Sequence, residues 1–200
     1  MSRLSLLTRR IWVAAVVVLA AVLAAGEAAG QNPFKWLTGD RNTKYETYKD
    51  PDGRFELEYP AKDWKMLPSN SSSTLVGFSR NDGPTFFVDY VKLRGRLTKA
   101  EVDAMPDVEV SRLKDLQPKA TGFKSELLES KSGAGVLIRY SRPGNNPEAV
   151  IQYSIAANLD LYRLNGVVPE KQLSKYEPVI MHMLQSFQTK ANPGASKPAP

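Results

Sequence analysis

The sequence of 200 residues contains no cysteine and a single histidine, His182. The absence of cysteine excludes disulfide bonds, thiolate metal sites and a cysteine nucleophile, and it excludes the lipid-modified cysteine of a bacterial lipoprotein. One histidine leaves little from which to build a zinc or copper site. A hydrolytic triad needs a histidine beside a nucleophile, and the periodicity puts His182 on the outward side of the last predicted helix with no evident orienting acid.

Motifs that bind nucleotides or present a serine nucleophile are also absent. The segment Ser111-Arg112-Leu113-Lys114 matches the Ser-x-x-Lys motif of acyl enzymes, but the companion motifs of those enzymes are missing, so we interpret it as a chance match. The basic residues are scattered, which argues against nucleic-acid binding. We therefore predict a protein that is not an enzyme, with no catalytic, cofactor-binding or metal-binding residues and no cofactor. A hydrolase that relies on serine and carboxylates is the enzymatic alternative.

The first thirty residues have the three parts of a secretory signal peptide. A basic start precedes an apolar run, Ile11–Ala25, and the small residues Ala28-Ala29-Gly30 stand at the cleavage positions. The run is shorter than the roughly 20 residues of a membrane-spanning helix, so we predict export to the periplasm or beyond the cell. An uncleaved anchor formed by residues 11–26 is the alternative. Thr8-Arg9-Arg10 partly matches a twin-arginine signal, which leaves the export route open.

The remaining composition is typical of one globular domain. Apolar residues make up 42% and charged residues 24% of the chain, as in ordinary soluble domains. The net charge is +6, and it falls to +4 without the first thirty residues, which is weak evidence for any acidic partner. We predict a lead-in segment over residues 31–44, a domain over 45–189 and a disordered tail over 190–200, and we expect a monomer.

Alternating apolar and polar residues predict a series of strands. Phe55–Pro60 alternates cleanly, and residues 75–80 and 85–93 read as a hairpin joined at Asn81–Pro84. Four further strands are predicted at Phe123–Ser130, Gly135–Ser141, Ala149–Ala156 and Leu161–Asn165. Their linkers are short and rich in turn formers, so neighbouring strands are expected to pair antiparallel as a meander.

Two helices are predicted from capping boxes. Thr98 and Glu101 start the first, which Pro106 is expected to interrupt before Asp107 restarts it. Ser174 and Glu177 start the second, whose apolar stripe is wide enough to require a sheet beneath it. That stripe consists of Leu173, Tyr176, Ile180, Met183, Leu184 and Phe187.

The order of these parts resembles the PsbP family. The matching residues are Phe55, Leu57, Tyr59, Pro60 and Trp64 early in the domain, and Leu161, Tyr162, Arg163, Leu164, Tyr176, Pro178, Ser186 and Phe187 late in it. The resemblance implies an α+β fold in which an antiparallel meander sheet of about six to seven strands is covered by helices on both faces. The best-known member is an extrinsic lumenal protein of the photosynthetic oxygen-evolving complex, and a nuclear import factor that binds Ran shares the fold. The export signal excludes the Ran role.

These observations favour an exported binding or assembly module, acting on the outer side of the cytoplasmic membrane through contacts with an unknown envelope protein or complex. Peripheral membrane association is compatible with this role. One alternative is a small-molecule or lipid carrier with a pocket between the sheet and the helix Leu173–Phe187. Another is an accessory protein of a photosynthetic complex, which requires a photosynthetic source.

Overall fold

The computed structural model describes residues 43–69, 71–130, 132–157 and 159–190. The predicted signal peptide or anchor, most of the lead-in segment and residues 191–200 of the predicted tail lie outside these ranges. Within them, no helix is long and apolar enough to span a bilayer.

Ten strands and two α-helices form the described part of the chain. The strands are β1 (Tyr45–Lys49), β2 (Phe55–Pro60), β3 (Trp64–Leu67), β4 (Thr74–Arg80), β5 (Thr85–Lys92), β6 (Thr121–Ser130), β7 (Gly133–Arg142), β8 (Glu148–Ala157), β9 (Asp160–Pro169) and β10 (Gln188–Thr189). Helix α1 (Lys99–Leu116) joins β5 to β6. A 3₁₀ turn (Glu170–Gln172) leads from β9 into helix α2 (Leu173–Ser186).

Seven strands form one antiparallel sheet in the order β3-β4-β5-β9-β8-β7-β6. It consists of two meanders, β3 to β5 and β6 to β9, whose inner strands β5 and β9 pair along their length. The chain therefore crosses from the middle of the sheet to its far edge through α1. The predicted antiparallel α+β fold is confirmed, and the predicted hairpin and four-strand meander are both present.

A second sheet, which the sequence did not indicate, joins β1 and β10 to the two edges of β2. The ring of Phe55 in β2 packs against Tyr162 and Phe187, with ring centroids 6.0 and 5.2 Å away. The small sheet is thereby attached to the same face of the main sheet as α2.

Helix α2 is fixed to the main sheet by a closely packed apolar face. Its buried residues are Tyr176, Val179, Ile180, Met181, Met183 and Leu184, and Phe187 follows at its end. These confirm most of the predicted stripe. The predicted capping box is wrong, because α2 begins at Leu173, before Ser174, and its N-cap residue Gln172 makes no side-chain hydrogen bond to the backbone. Glu177 instead lies 3.3 Å from Arg139 of β7.

Helix α1 covers the opposite face, against β6 and β7. The predicted capping box is present: Thr98 Oγ1 accepts from the Glu101 N–H at 3.3 Å, and Glu101 Oε2 accepts from the Thr98 N–H at 2.7 Å. The expected break at Pro106 is wrong, because the helix continues through it. A proline inside a helix removes one hydrogen bond and crowds the carbonyl of the residue four before it. The burial of Met105 and Glu109, on either side of Pro106, offsets this cost.

The two faces of the main sheet are covered unequally. Helix α2 and the small sheet share one face, whereas α1 packs on the other, mainly over β6 and β7, and reaches β8 and β9 through the side chain of Glu109. The part of this face formed by β4, β5 and β9 is left open beside α1, and it forms the floor of a groove.

Candidate binding groove beside helix α1

The α1 groove is a depression of about 520 Å³ on the face of the sheet that α1 covers. Its wall is the C-terminal half of α1, which contributes Arg112, Leu113 and Leu116. Its floor comes from alternate residues of β4, β5, β9 and β8, because successive side chains of a strand point to opposite faces. The groove is therefore built from rigid elements rather than loops.

Cross-strand pairing determines which side chains lie next to each other on the groove floor. Phe87 of β5 lies opposite Asn165 of β9, which lies opposite Gln152 of β8. The next row contains Asp89, Arg163 and Ser154 in the same register. An aromatic ring and two amides thus lie beside a row of charged and hydroxyl groups. Of these residue types, aromatic residues and arginine are enriched at protein-binding surfaces.

A buried carboxylate organises the α1 end of the groove. Glu109 is 3% exposed, and Arg163 holds it with two parallel bonds, Nη2 to Oε1 at 2.8 Å and Nε to Oε2 at 3.0 Å. Arg112 Nη2, Gln152 Nε2 and Ser154 Oγ also donate to Oε2, at 2.9, 3.1 and 3.1 Å. The network joins α1 to β8 and β9, so it fixes the groove wall relative to its floor.

The protonation state of Glu109 argues against acid–base chemistry. Burial would raise the pKa of this carboxyl, but the hydrogen bonds and charge of Arg163, with those of Arg112, outweigh it and lower the pKa to about 2. A carboxylate with so low a pKa is a weak base and is not protonated at neutral pH, so it cannot serve as a general acid. Ser154 is fully buried and donates its hydroxyl to this carboxylate. Ser154 and Glu109 therefore form a structural network, and their environment does not favour the hydrolase that relies on serine and carboxylates.

The charges that line or border the groove are balanced. Three arginines face three carboxylates: Arg112, Arg142 and Arg163 against Asp89, Glu109 and Glu148. Arg142 pairs with Glu148 at 2.7 Å. Asp89 accepts from the Thr74 hydroxyl at 2.6 Å and from the Asn165 amide at 3.1 Å. A surface without net charge has no electrostatic preference for a polyanion such as a nucleic acid.

An apolar pocket extends the groove toward the sheet edge. This space of about 410 Å³ is lined by Leu67 and Pro68 as well as Gly77, and it shares Thr74 and Phe87 with the groove. A Cβ at Gly77 would lie 3.1 Å from the Phe87 ring, so any other residue here would crowd the ring and fill the pocket. The combined surface spans β3, β4, β5, β9 and β8.

His182 has an acidic partner that the sequence did not reveal. Its Nε2 lies 2.7 Å from Glu58 Oε2, and its ring stacks on Tyr45 with centroids 3.8 Å apart. Ser186, one turn further along α2, accepts from the Glu58 N–H at 2.9 Å and donates to the Met183 carbonyl at 3.0 Å. The expectation of no orienting acid is wrong, and the contacts attach α2 to β1 and β2.

The remaining predicted features are placed apart from the groove floor. Lys114 of the Ser-x-x-Lys match lies over the Phe123 ring at 5.9 Å, while Ser111 is exposed.

The middle of the α2–sheet interface, where the carrier hypothesis put its pocket, is filled by Ile180, Met183 and Leu184, none more than 1% exposed. Among the described residues, no group of three or more His, Cys, Asp or Glu side chains could hold a metal ion.

Glu109 is the functional-site residue that sequence reasoning missed. The apolar residues Val110, Leu113 and Leu116 recur at helical spacing, but Leu116 is 62% exposed. The buried residues of α1 are Met105, Glu109 and Leu113. Glu109 is four residues from both Met105 and Leu113, and this spacing places the three side chains on one face of the helix. A carboxylate in an apolar stripe indicates a buried cationic partner.

Comparison with known proteins identifies solved structures that have a similar fold. No protein-family model and no curated protein matches the sequence. The chain is similar in structure to the cyanobacterial PsbP of Synechocystis, with a TM-score of 0.60 and 14% identity over 74% of this chain and 93% of that chain. It is also similar to LpqN of Mycobacterium tuberculosis, a protein involved in cell envelope biogenesis, with a TM-score of 0.51 and 16% identity over 75% of this chain and 92% of that chain.

A Bacteroides thetaiotaomicron structure aligns with a TM-score of 0.50 and 9% identity, over 74% of this chain and 49% of that chain. At such identities a shared fold does not transfer an activity. The motifs from Phe55 to Phe187 nevertheless predicted the architecture that these structures have. The chain has the PsbP-like fold.

Proposed function

We propose that this protein is an exported, non-enzymatic binding module that attaches to a protein partner of the cell envelope through the α1 groove. The observation that carries the proposal is the open part of the main sheet beside α1. A sheet face is normally covered by another layer, and here rigid aromatic, amide and charged groups line the uncovered part.

The chemistry of the groove supports a polypeptide as the occupant. Its charges balance, and Phe87 provides an aromatic surface. Exposed apolar residues at the rim, Leu116 at 62% and Val91 at 42%, add the apolar contact area that a protein partner buries.

The sequence supports an envelope location. Residues 1–30 have the composition of an export signal, and LpqN, which shares the fold, is involved in cell envelope biogenesis. The low pKa of Glu109 and the burial of Ser154 support a binding role over hydrolysis.

Chemical crosslinking in the native host tests the proposal. The full chain carries an affinity tag, and crosslinked complexes are recovered from the envelope fraction and identified by quantitative mass spectrometry. Leu116→Asp places a charge on the groove rim at an exposed position, so we expect recovery of the partner to fall several-fold while the fold is kept.

Leu127→Asp is the matched control, because Leu127 is 50% exposed and lies on β6, outside the groove. Its partner recovery should equal that of the unaltered protein. Recovery of the monomer alone from unaltered cells, or equal losses in both variants, would contradict the proposal.

A further inference from the structure

A second pocket, of about 300 Å³, opens at the N-terminal end of α2. Four cationic side chains line it: Lys44, Lys62, Arg80 and Lys175. Trp64 and Tyr176 contribute aromatic walls, and Asp63 is the one acidic residue of the lining. We call it the basic pocket. It lies on the α2 side of the fold, away from the α1 groove.

The cations of the basic pocket exceed their acidic partners. Arg80 is held by Asp63 at 3.3 Å and Asp82 at 2.7 Å. Lys175 reaches Asp82 only at 3.7 Å, with 63% of its side chain exposed. Lys44 and Lys62 are exposed and form no ion pair with any described residue. Lys65 adds a further cation in an adjoining depression shared with Arg80 and Asp63.

In the part of the chain that the structure describes, five cations therefore face two carboxylates, whereas the α1 groove is balanced. A surface with net positive charge attracts anions, and the attraction is stronger in a concave site. Met66, on the same strand as Trp64, is 54% exposed and adds apolar surface next to the charge. Positive charge beside exposed apolar groups is a combination that fits an anionic lipid surface.

The position of the pocket in the chain favours the same ligand. Thr43, the first described residue, and Lys44 both line it. The sequence before Thr43 contains the apolar run Ile11–Ala25, predicted to enter the membrane as a signal or an anchor. In sequence order, the residues of the basic pocket therefore begin after the predicted membrane-directed segment.

We propose that the basic pocket binds the phosphate headgroup of an anionic phospholipid, so that the domain lies against the outer surface of the cytoplasmic membrane. Lys44, Lys62 and Lys175 supply point charges on long stems to the phosphate oxygens. Arg80 stays with its two aspartates and fixes the pocket wall. Because the α1 groove is on the other face of the sheet, a protein partner and the membrane can be bound together.

Lysine footprinting of the full chain tests this inference. The protein is incubated with vesicles of phosphatidylcholine alone or of phosphatidylcholine with phosphatidylglycerol, and the acetylation rate of each lysine is measured by mass spectrometry. We expect Lys44, Lys62 and Lys175 to be acetylated several-fold more slowly with phosphatidylglycerol, and less so at high salt. Lys99 and Lys119, both exposed and outside the pocket, are internal controls that should not change.

A variant and a soluble probe complete the design. Lys62→Gln should lower the protection of Lys44 and Lys175 about fivefold, while Lys119→Gln should leave it unchanged. Equal acetylation in the two kinds of vesicle, or protection that extends equally to Lys99 and Lys119, would overturn the proposal. So would equal protection by sn-glycerol 3-phosphate without vesicles, since it would assign the pocket to a soluble phosphate compound. These results do not depend on the α1 groove.

Discussion

Glu109 is the residue on which the geometry of the α1 groove depends most. Its carboxylate accepts five hydrogen bonds from Arg112, Gln152, Ser154 and Arg163 that are at most 3.1 Å long. Glu109→Ala leaves two arginines without their counter-ion, so we expect a loss of about 3–5 kcal/mol in the free energy of unfolding. Chemical denaturation measures it. A loss no larger than that of Asp107→Ala, which removes an exposed carboxylate from the same helix, would show that the network contributes little.

The same residue predicts a pH dependence of stability. The pKa of Glu109 is about 2 in the folded protein against an ordinary 4.5, so its contribution is complete above pH 4.5 and is lost as the pH falls toward 2. Glu109→Gln lacks this titration. The difference in free energy of unfolding between the unaltered protein and Glu109→Gln should therefore shrink across that window. A constant difference would mean that Glu109 has an ordinary pKa.

Gly166 of β9 carries a steric requirement that no local pattern reveals. A Cβ at this position would overlap the side chain of Ile180 on α2, and we expect Gly166→Ala to cost about 1–3 kcal/mol through overpacking. Gly144→Ala is the control, because an added Cβ there meets nothing within 4 Å. Thermal or chemical unfolding compares the two. Equal stabilities would contradict the close packing of α2 on the sheet.

At the scale of elements, local signals predicted strands and one helix start well. Alternation placed β2 at Phe55–Pro60, and the spacing of Thr98 and Glu101 placed the start of α1. The same spacing at Ser174 and Glu177 failed, because Glu177 is attracted to Arg139 of a distant strand. A capping box is local, but the carboxylate that completes it can be taken by a tertiary partner. Pro106 does not interrupt α1 for a related reason. The buried contacts of Met105 and Glu109 outweigh the local cost of the proline.

This difference between the two helices predicts unequal effects of the same substitution. Thr98→Ala removes the side-chain cap of α1 and should lower the free energy of unfolding by about 1 kcal/mol. Ser174→Ala removes no cap, and alanine is the better helix former, so stability should stay the same or rise slightly. Urea unfolding followed by circular dichroism measures both. Equal losses would mean that Ser174 caps α2 after all.

At the scale of the whole molecule, the sequence patterns predicted the sheet and its covering helices. They did not predict that part of one sheet face is left open. The signals for β5, β8 and β9 are separate in sequence, and only their register places Phe87, Asn165 and Gln152 in one row. The Glu109 network joins positions up to 54 residues apart. Such a site depends on which strands become neighbours, and short-range patterns do not contain that information.

The distribution of charge distinguishes two surfaces of the molecule. The α1 groove is balanced and joins aromatic and amide groups, which fits a protein segment. The basic pocket has excess lysine and arginine near the start of the domain, which fits an anionic membrane surface. A domain with both surfaces would hold an envelope partner at the membrane without any chemical step.

Site-specific photo-crosslinking in living cells tests the central claim, that the α1 groove binds a protein partner. A photoreactive phenylalanine derivative replaces Leu116 or Val91 at the groove rim, or Leu127 outside it; all three residues are exposed. We expect the two groove positions to give an adduct with the same protein and Leu127 to give none. Adducts of equal yield from all three positions, or none from the groove positions, would contradict the account.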